Sequence, residues 1–174
     1  MLSDNSPARH SPEESGSAVR PARMLPVVAD EPASAPPAAA PVSPEERVKE
    51  VMADWHTAIV KKDAEVVERV DRIFASESSV FLPALMISAE SDPEERVRAF
   101  STRVLGKLRS PESVAVIRKL LADRNQYVRS NAAWALGELE DRDAVARLRE
   151  LQKRDPAPNV RDSAAASLRK LVGG

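Results

Sequence analysis

Beyond residue 43, apolar residues recur every three to four positions, the spacing of helices that each bury one face. Ser43-Pro44-Glu45-Glu46 opens the first run with a serine N-cap, proline at the first helical position and glutamate at the third. Val48, Val51, Met52, Trp55 and Ile59 then form one stripe, which predicts a helix to about residue 62. Val66, Val67, Val70, Ile73 and Phe74 predict a second helix over about 63–75, broken at 76–79. Residues 80–87 are apolar nearly all round, so this run is central or covered. Pro83 is tolerated in a first helical turn, which places the start of regular helix close to it. Asp92-Pro93-Glu94-Glu95 repeats the cap logic and starts a helix to about Leu108; Ser110-Pro111-Glu112 restarts the chain into a helix ending near Ala122. Runs at about 125–139, 141–153 and 158–172 complete the series, with turns short enough for antiparallel neighbours.

Part of this pattern is periodic. Val97-Arg98, Val128-Arg129 and Val160-Arg161 are separated by 31 and 32 residues, and Asp92, Asp123 and Asp155 each lie six residues before their arginine. A fixed period of this length denotes stacked supersecondary units, each unable to hide its apolar face alone. Ala132, Ala133, Ala135 and Gly137 remove side-chain bulk, so neighbouring helices can approach closely. Val145, Leu148 and Leu151 supply the apolar seam of the following helix, and Val114, Ile117 and Leu120 match them one repeat earlier.

The string Val128-Arg129-Ser130-Asn131-Ala132-Ala133-Trp134-Ala135-Leu136-Gly137-Glu138-Leu139 resembles the first helix of a HEAT repeat, of the short type found in the phycobilisome-lyase HEAT-like group. Asp143-Ala144-Val145-Ala146-Arg147-Leu148 resembles the start of the second helix, and Leu82-Pro83-Ala84-Leu85 a common variant of it. The resemblance covers residues 80–172 and implies an all-α fold, a short right-handed α–α superhelix of HEAT/armadillo-like type. Residues 44–78 then form a capping helix pair and 79–174 the repeats. The last repeat departs from the pattern: Arg169 stands where glycine is expected and the second helix is missing, so Ser163, Ser167, Arg169 and Lys170 read as a solvated terminal cap, or alternatively the missing helix leaves a C-terminal face for self-association.

The resemblance also implies roles for charged residues. Asp92, Asp123 and Asp155 are expected to accept hydrogen bonds from Arg98, Arg129 and Arg161 in a ladder between adjacent repeats that fixes the stacking angle, a structural role rather than a catalytic one. Second helices line the concave surface in such arrays, so Arg118, Lys119, Arg147, Glu150 and Lys153 are the candidate partner-binding surface. The first second helix carries Ala84, Met86 and Ile87 at the aligned positions. These are expected to lie under the capping helices, or else to form an exposed apolar patch for a partner. Trp134 and Tyr127, seven residues apart, are expected to serve packing between repeats, or alternatively to anchor an interface as an aromatic patch.

Composition narrows the function. The 174 residues carry 26 basic and 27 acidic side chains, a net charge of -1, which argues against a strong pull toward nucleic acid or an anionic membrane. Cysteine is absent, so disulfides and zinc-thiolate sites are excluded. No glycine-rich phosphate loop or nucleophile elbow occurs, and the two histidines, His10 and His56, have no ligating neighbours in sequence. Residues 1–43 hold eight of the fourteen prolines and read as a disordered tail, without a secretory signal or a membrane-spanning run. Within it, Met24-Leu25-Pro26-Val27-Val28 is a chance apolar cluster, a start at Met24, or a docking motif.

The expected function is a non-enzymatic, cytoplasmic protein-binding scaffold that needs no cofactor or metal. Two alternatives follow from the resemblance: a bilin lyase-like or chromophore-protein chaperone subunit, and a nucleic-acid-binding array.

Overall fold

The computed structural model describes residues 43–173, and the expectations for the tail, Met24 and His10 lie outside them. Eight α-helices follow one another in the described part: α1 (Pro44–Lys61), α2 (Ala64–Ser76), α3 (Ser78–Ser91), α4 (Glu95–Leu108), α5 (Val114–Leu120), α6 (Gln126–Glu138), α7 (Val145–Arg154) and α8 (Pro158–Val172). The architecture is an all-α solenoid. α4, α6 and α8 stack side by side in one row, and α3, α5 and α7 alternate with them in a second.

Local sequence explains the boundaries. Ser43 accepts from the Glu46 N–H while Glu46 reaches back to the Ser43 N–H, a closed capping box at the start of α1. α1 ends on Lys62 in a left-handed conformation, and Asp63 at once caps α2 by accepting from the Val66 N–H. A related device opens every helix of the first row. A carboxylate oxygen of Asp92, Asp123 and Asp155 accepts from the N–H two residues ahead, on Glu94, Asn125 and Ala157, and turns the chain into the helix.

Two boundaries differ from the sequence reading. α3 begins at Ser78, five residues before Pro83, which sits inside the helix. The proline is exposed and so is Ser79, whose carbonyl loses its helical donor but faces water. α5 and α7 are shorter than expected because their first residues, Pro111–Ser113 and Arg142–Ala144, wind as 3-10 turns.

The core runs through the whole stack. At one end Trp55 meets Phe74 edge-on, with ring centroids 5.1 Å apart, and Phe74 meets Phe81 at 5.2 Å. These three fully buried rings join α1 and α2 to α3. Further along, the core is aliphatic, with Leu105, Ile117, Val128, Leu136, Leu148 and Val160 fully buried.

The first row packs much more closely than the second. A Cβ placed on Gly106 would lie 2.6 Å from the Ala135 Cβ, and one on Gly137 would lie 2.8 Å from the Ser167 Cβ. α4, α6 and α8 therefore touch backbone to backbone, whereas α5 and α7 hardly meet. The closer row is the inner side of a curved stack.

Candidate functional site

Arg98 points one edge of its guanidinium back at its own loop, Nη1 donating to the Asp92 carbonyl at 3.0 Å. The other edge reaches forward, Nε and Nη2 donating to both carboxylate oxygens of Asp123 at 3.1 and 3.2 Å. Arg129 repeats this one unit later, with Nη1 on the Asp123 carbonyl at 2.9 Å and the fork on Asp155 at 2.8 and 2.9 Å. The ladder thus runs between adjacent repeats, as the resemblance implies, while the arginine six residues after each aspartate reaches only that aspartate's carbonyl. The reason is geometric: a guanidinium has two usable edges, and the near one is filled by the loop carbonyls.

Both rungs are largely out of solvent, with side-chain exposures of 5% and 11% for Arg98 and Asp123 and 14% and 3% for Arg129 and Asp155. Asp92, at the start, has no ladder arginine before it. Its carboxylate faces His56 Nε2 of α1 at 3.5 Å, so the capping helices place an imidazole where an arginine would stand. Arg161, at the far end, makes the same backward clasp on the Asp155 carbonyl at 2.8 Å.

Hydrogen bonds from Arg129 hold the Asp155 carboxyl below the ordinary value of 3.8, against the opposing effect of burial. Glu138, at the end of α6, accepts from Lys170 of α8 and from Arg109 after α4. Those bonds hold it below the ordinary 4.5. Both groups have depressed folded-state values. Their contribution to stability is therefore complete above pH 3.8 and 4.5 respectively and is lost as pH falls below those values. Unfolding by denaturant at a series of pH values should show this acid loss, and Arg129→Met should flatten the part due to Asp155.

The residues expected to line the concave surface belong to the second row. Arg118, Lys119, Arg147, Glu150 and Lys153 are on α5 and α7, which form the wider-spaced outer row, not the concave side. Most of these charges are already matched within the chain. Arg118 donates to Asp141 at 2.6 Å and to Asp143 at 2.8 Å, which holds its guanidinium still more firmly protonated. Lys119 pairs with Glu90 at 2.7 Å, and Arg147 pairs with Glu150 one turn along. Lys153 is exposed near the end of α7. Met86 packs partly against the core, but Ile87 is 68% exposed, so the capping helices do not cover it. It borders a crevice of about 460 Å³ between α1 and α3, together with Val48, Met52 and Ala84.

A larger groove, about 880 Å³, opens on the inner row. The α1–α2 corner forms one wall and the outward faces of α4 and α6 the other. On α4, Arg96, Phe100 and Arg103 follow one another at four and three residues, so they share one helical face. α6 adds Tyr127, which is 60% exposed, and Asn131, whose amide donates to the Ala99 carbonyl at 2.7 Å. The opposite wall carries Asp63, Glu68 and Asp71 beside Lys62, while Glu95 stands with the arginines, so one wall is acidic on balance and the other basic. Lys107 of α4 bonds Asp71 across the groove at 2.9 Å, and the other Asp71 carboxylate oxygen is buried with no donor among the described residues. Phe100, Arg96 and Arg103 are the residues that sequence reading missed. Their signal was an aromatic flanked by two arginines on the polar face of a helix. Trp134 and Tyr127 part company: Trp134 packs beside Gly106, while Tyr127 faces the groove.

Among the described residues no group of three or more His, Cys, Asp or Glu could hold a metal ion. No helix among them is long and apolar enough to cross a membrane.

A stack of helix pairs with an interrepeat arginine–aspartate ladder and an inner groove defines a helical-repeat protein. The family model for HEAT repeats matches residues 82–169, just over half of the chain, and the chain belongs to that family. Deoxyhypusine hydroxylase of Saccharomyces cerevisiae is 30% identical over 103 residues, which is 56% of this chain and 32% of that protein. The chain thus spans about a third of the length of this curated relative. Among solved structures, the complex of CpcE and CpcF of phycocyanin lyase from Nostoc sp. PCC7120 is similar at 18% identity and a TM-score of 0.45, over 86% of this chain and 71% of that one.

Proposed function

We propose that this chain is a non-enzymatic protein-binding scaffold whose binding surface is the inner groove. The observation that carries this reading is the groove itself. It sets an exposed aromatic pair, Phe100 and Tyr127, between arginines on one wall and carboxylates on the other. Exposed aromatics beside arginine are the side chains that contribute most to protein interfaces. Two walls of opposite sign suit a peptide with both acidic and basic residues around an apolar side chain. The α4 and α6 wall of the groove is held by the buried Arg98–Asp123 rung, so its side chains are presented at constant spacing and little ordering entropy is lost on binding.

The candidates Met86 and Ile87 form a second, smaller surface at the α1–α3 crevice. The outer-row group of Arg118, Lys119, Arg147, Glu150 and Lys153 is a weaker one, because its charges are internally compensated.

Selection of a random peptide library against the full chain tests the proposal. Enriched peptides should lose at least about tenfold in affinity with Phe100→Glu or Tyr127→Glu, both exposed positions. They should be unaffected by Ile87→Glu and Arg147→Glu. Peptides with the opposite sensitivity would overturn the assignment of the groove.

A further inference from the structure

The ladder has two completed rungs and one half-built one. Arg161 has its Nη1 on the carbonyls of Asp155 and Pro156 at 2.8 and 3.1 Å, as Arg98 and Arg129 have theirs on the equivalent loops. In those two arginines the Nε and Nη2 edge holds the next repeat's aspartate. In Arg161 that edge has no acceptor among the described residues, yet its backward clasp aims it outward in the stacking direction.

The same period shows which residues of α8 face that way. α6 meets α8 through Ser130, which bonds Ser163, through the Ala133 carbonyl, which accepts from Ser167, and through Gly137. One repeat later these positions are Asp162, Ala165 and Arg169. The face therefore reads Arg161, Asp162, Ala165, Arg169, with Val172 at its end, and Asp162, Arg169 and Val172 are exposed.

These residues discriminate between ways of covering the face. A further helix stacked parallel to α8, as α8 stacks on α6, needs a glycine where Arg169 stands. That arrangement is blocked. An antiparallel helix is not. Asp162 and Arg169 lie seven residues apart with the small Ala165 between them, so a second α8 running the other way brings each aspartate opposite the partner helix's arginine. The open fork of Arg161 then faces the C-terminal end of the opposing helix, where the last carbonyls lack intrahelical donors and carry the negative end of the helix dipole. The face is complementary to itself under a two-fold axis.

We propose that a second copy of this chain is the occupant, and that two chains associate through antiparallel α8 helices. One helix pair buries less than the roughly 800 Å² per partner of a stable interface, so the dimer is a weak one that forms at high protein concentration.

The full chain has no cysteine, which permits a direct test. Ala165→Cys under mild oxidation should form a disulfide-linked dimer, and Thr57→Cys, exposed on α1, should not. In sedimentation equilibrium the unmodified chain should show a concentration-dependent dimer at millimolar protein. Asp162→Arg should weaken it at least about tenfold by setting like charges opposite each other. The double exchange Asp162→Arg with Arg169→Asp should restore it. A monomer at all concentrations, or a dimer indifferent to Asp162→Arg, overturns the proposal. So does equal cross-linking of the two cysteine variants.

Discussion

Replacing Arg129 with methionine should destabilise the chain by about 3–5 kcal/mol, the cost of leaving a buried carboxylate without its cation. Asp155 has a side chain only 3% exposed, and the change would leave it with the single N–H of Ala157 as a donor. The Asp123 and Arg124 carbonyls would lose theirs as well. Methionine preserves much of the volume, so the loss reports on charge and hydrogen bonding rather than on a cavity. Adding Asp155→Asn should recover part of the loss, because a neutral amide still accepts from Ala157 but leaves no buried charge. Arg147→Met removes a pair of which both members are about half exposed, and should stay within about 0.5 kcal/mol of the unmodified chain. Denaturant unfolding of the four chains compares these directly. Equal losses for Arg129→Met and Arg147→Met would mean that the rungs do not hold the stack.

The second large effect concerns close approach. Gly137→Val should cost about 3 kcal/mol or more, although valine is the better residue within an isolated helix. A Cβ there runs into the Ser167 hydroxyl and lies 2.8 Å from the Ser167 Cβ and 3.0 Å from its Cα. The Cα belongs to the backbone and cannot rotate away. α8 would have to move outward, and the Ser167 bond to the Ala133 carbonyl would break with it. Ser167→Gly should return only part of the stability, since the clash with the α8 backbone remains. Because repeats touch chiefly their neighbours, the damage should be local: hydrogen exchange should rise in α8 before it rises in α1 to α4. Uniform loss of protection along the chain would contradict that.

Much of the fold was legible in the sequence because its local signals agree. Ser43, Asp92, Asp123 and Asp155 mark helix starts, and the glycine and alanine positions mark where helices meet. What was not legible depends on distances between elements. The ladder between repeats was legible through the resemblance, whereas the second edge of each guanidinium, which clasps the carbonyls of its own loop, was not. The inner row could not be told from the outer one, because α4 and α5 both present charged faces and only the relative spacing of the rows sets the curvature. His56 stands in the position of a ladder arginine opposite Asp92, but it lies 36 residues away in a helix without the repeat signature, so no period pointed to it. Phe100 gives no clear signal because it stands between arginines on a polar helix face, and in an inner-row helix that is the face a partner would meet.

Whether the inner groove is the binding surface of this scaffold can be read directly by backbone chemical-shift mapping of the full chain during titration with a peptide selected against it. The largest changes should fall along Arg96, Phe100, Arg103 and Tyr127, with those at Asp63 and Glu68 following on the opposite wall. Changes centred on Arg118 and Arg147 of the outer row, or on Met86 and Ile87 beside α1, would contradict the assignment.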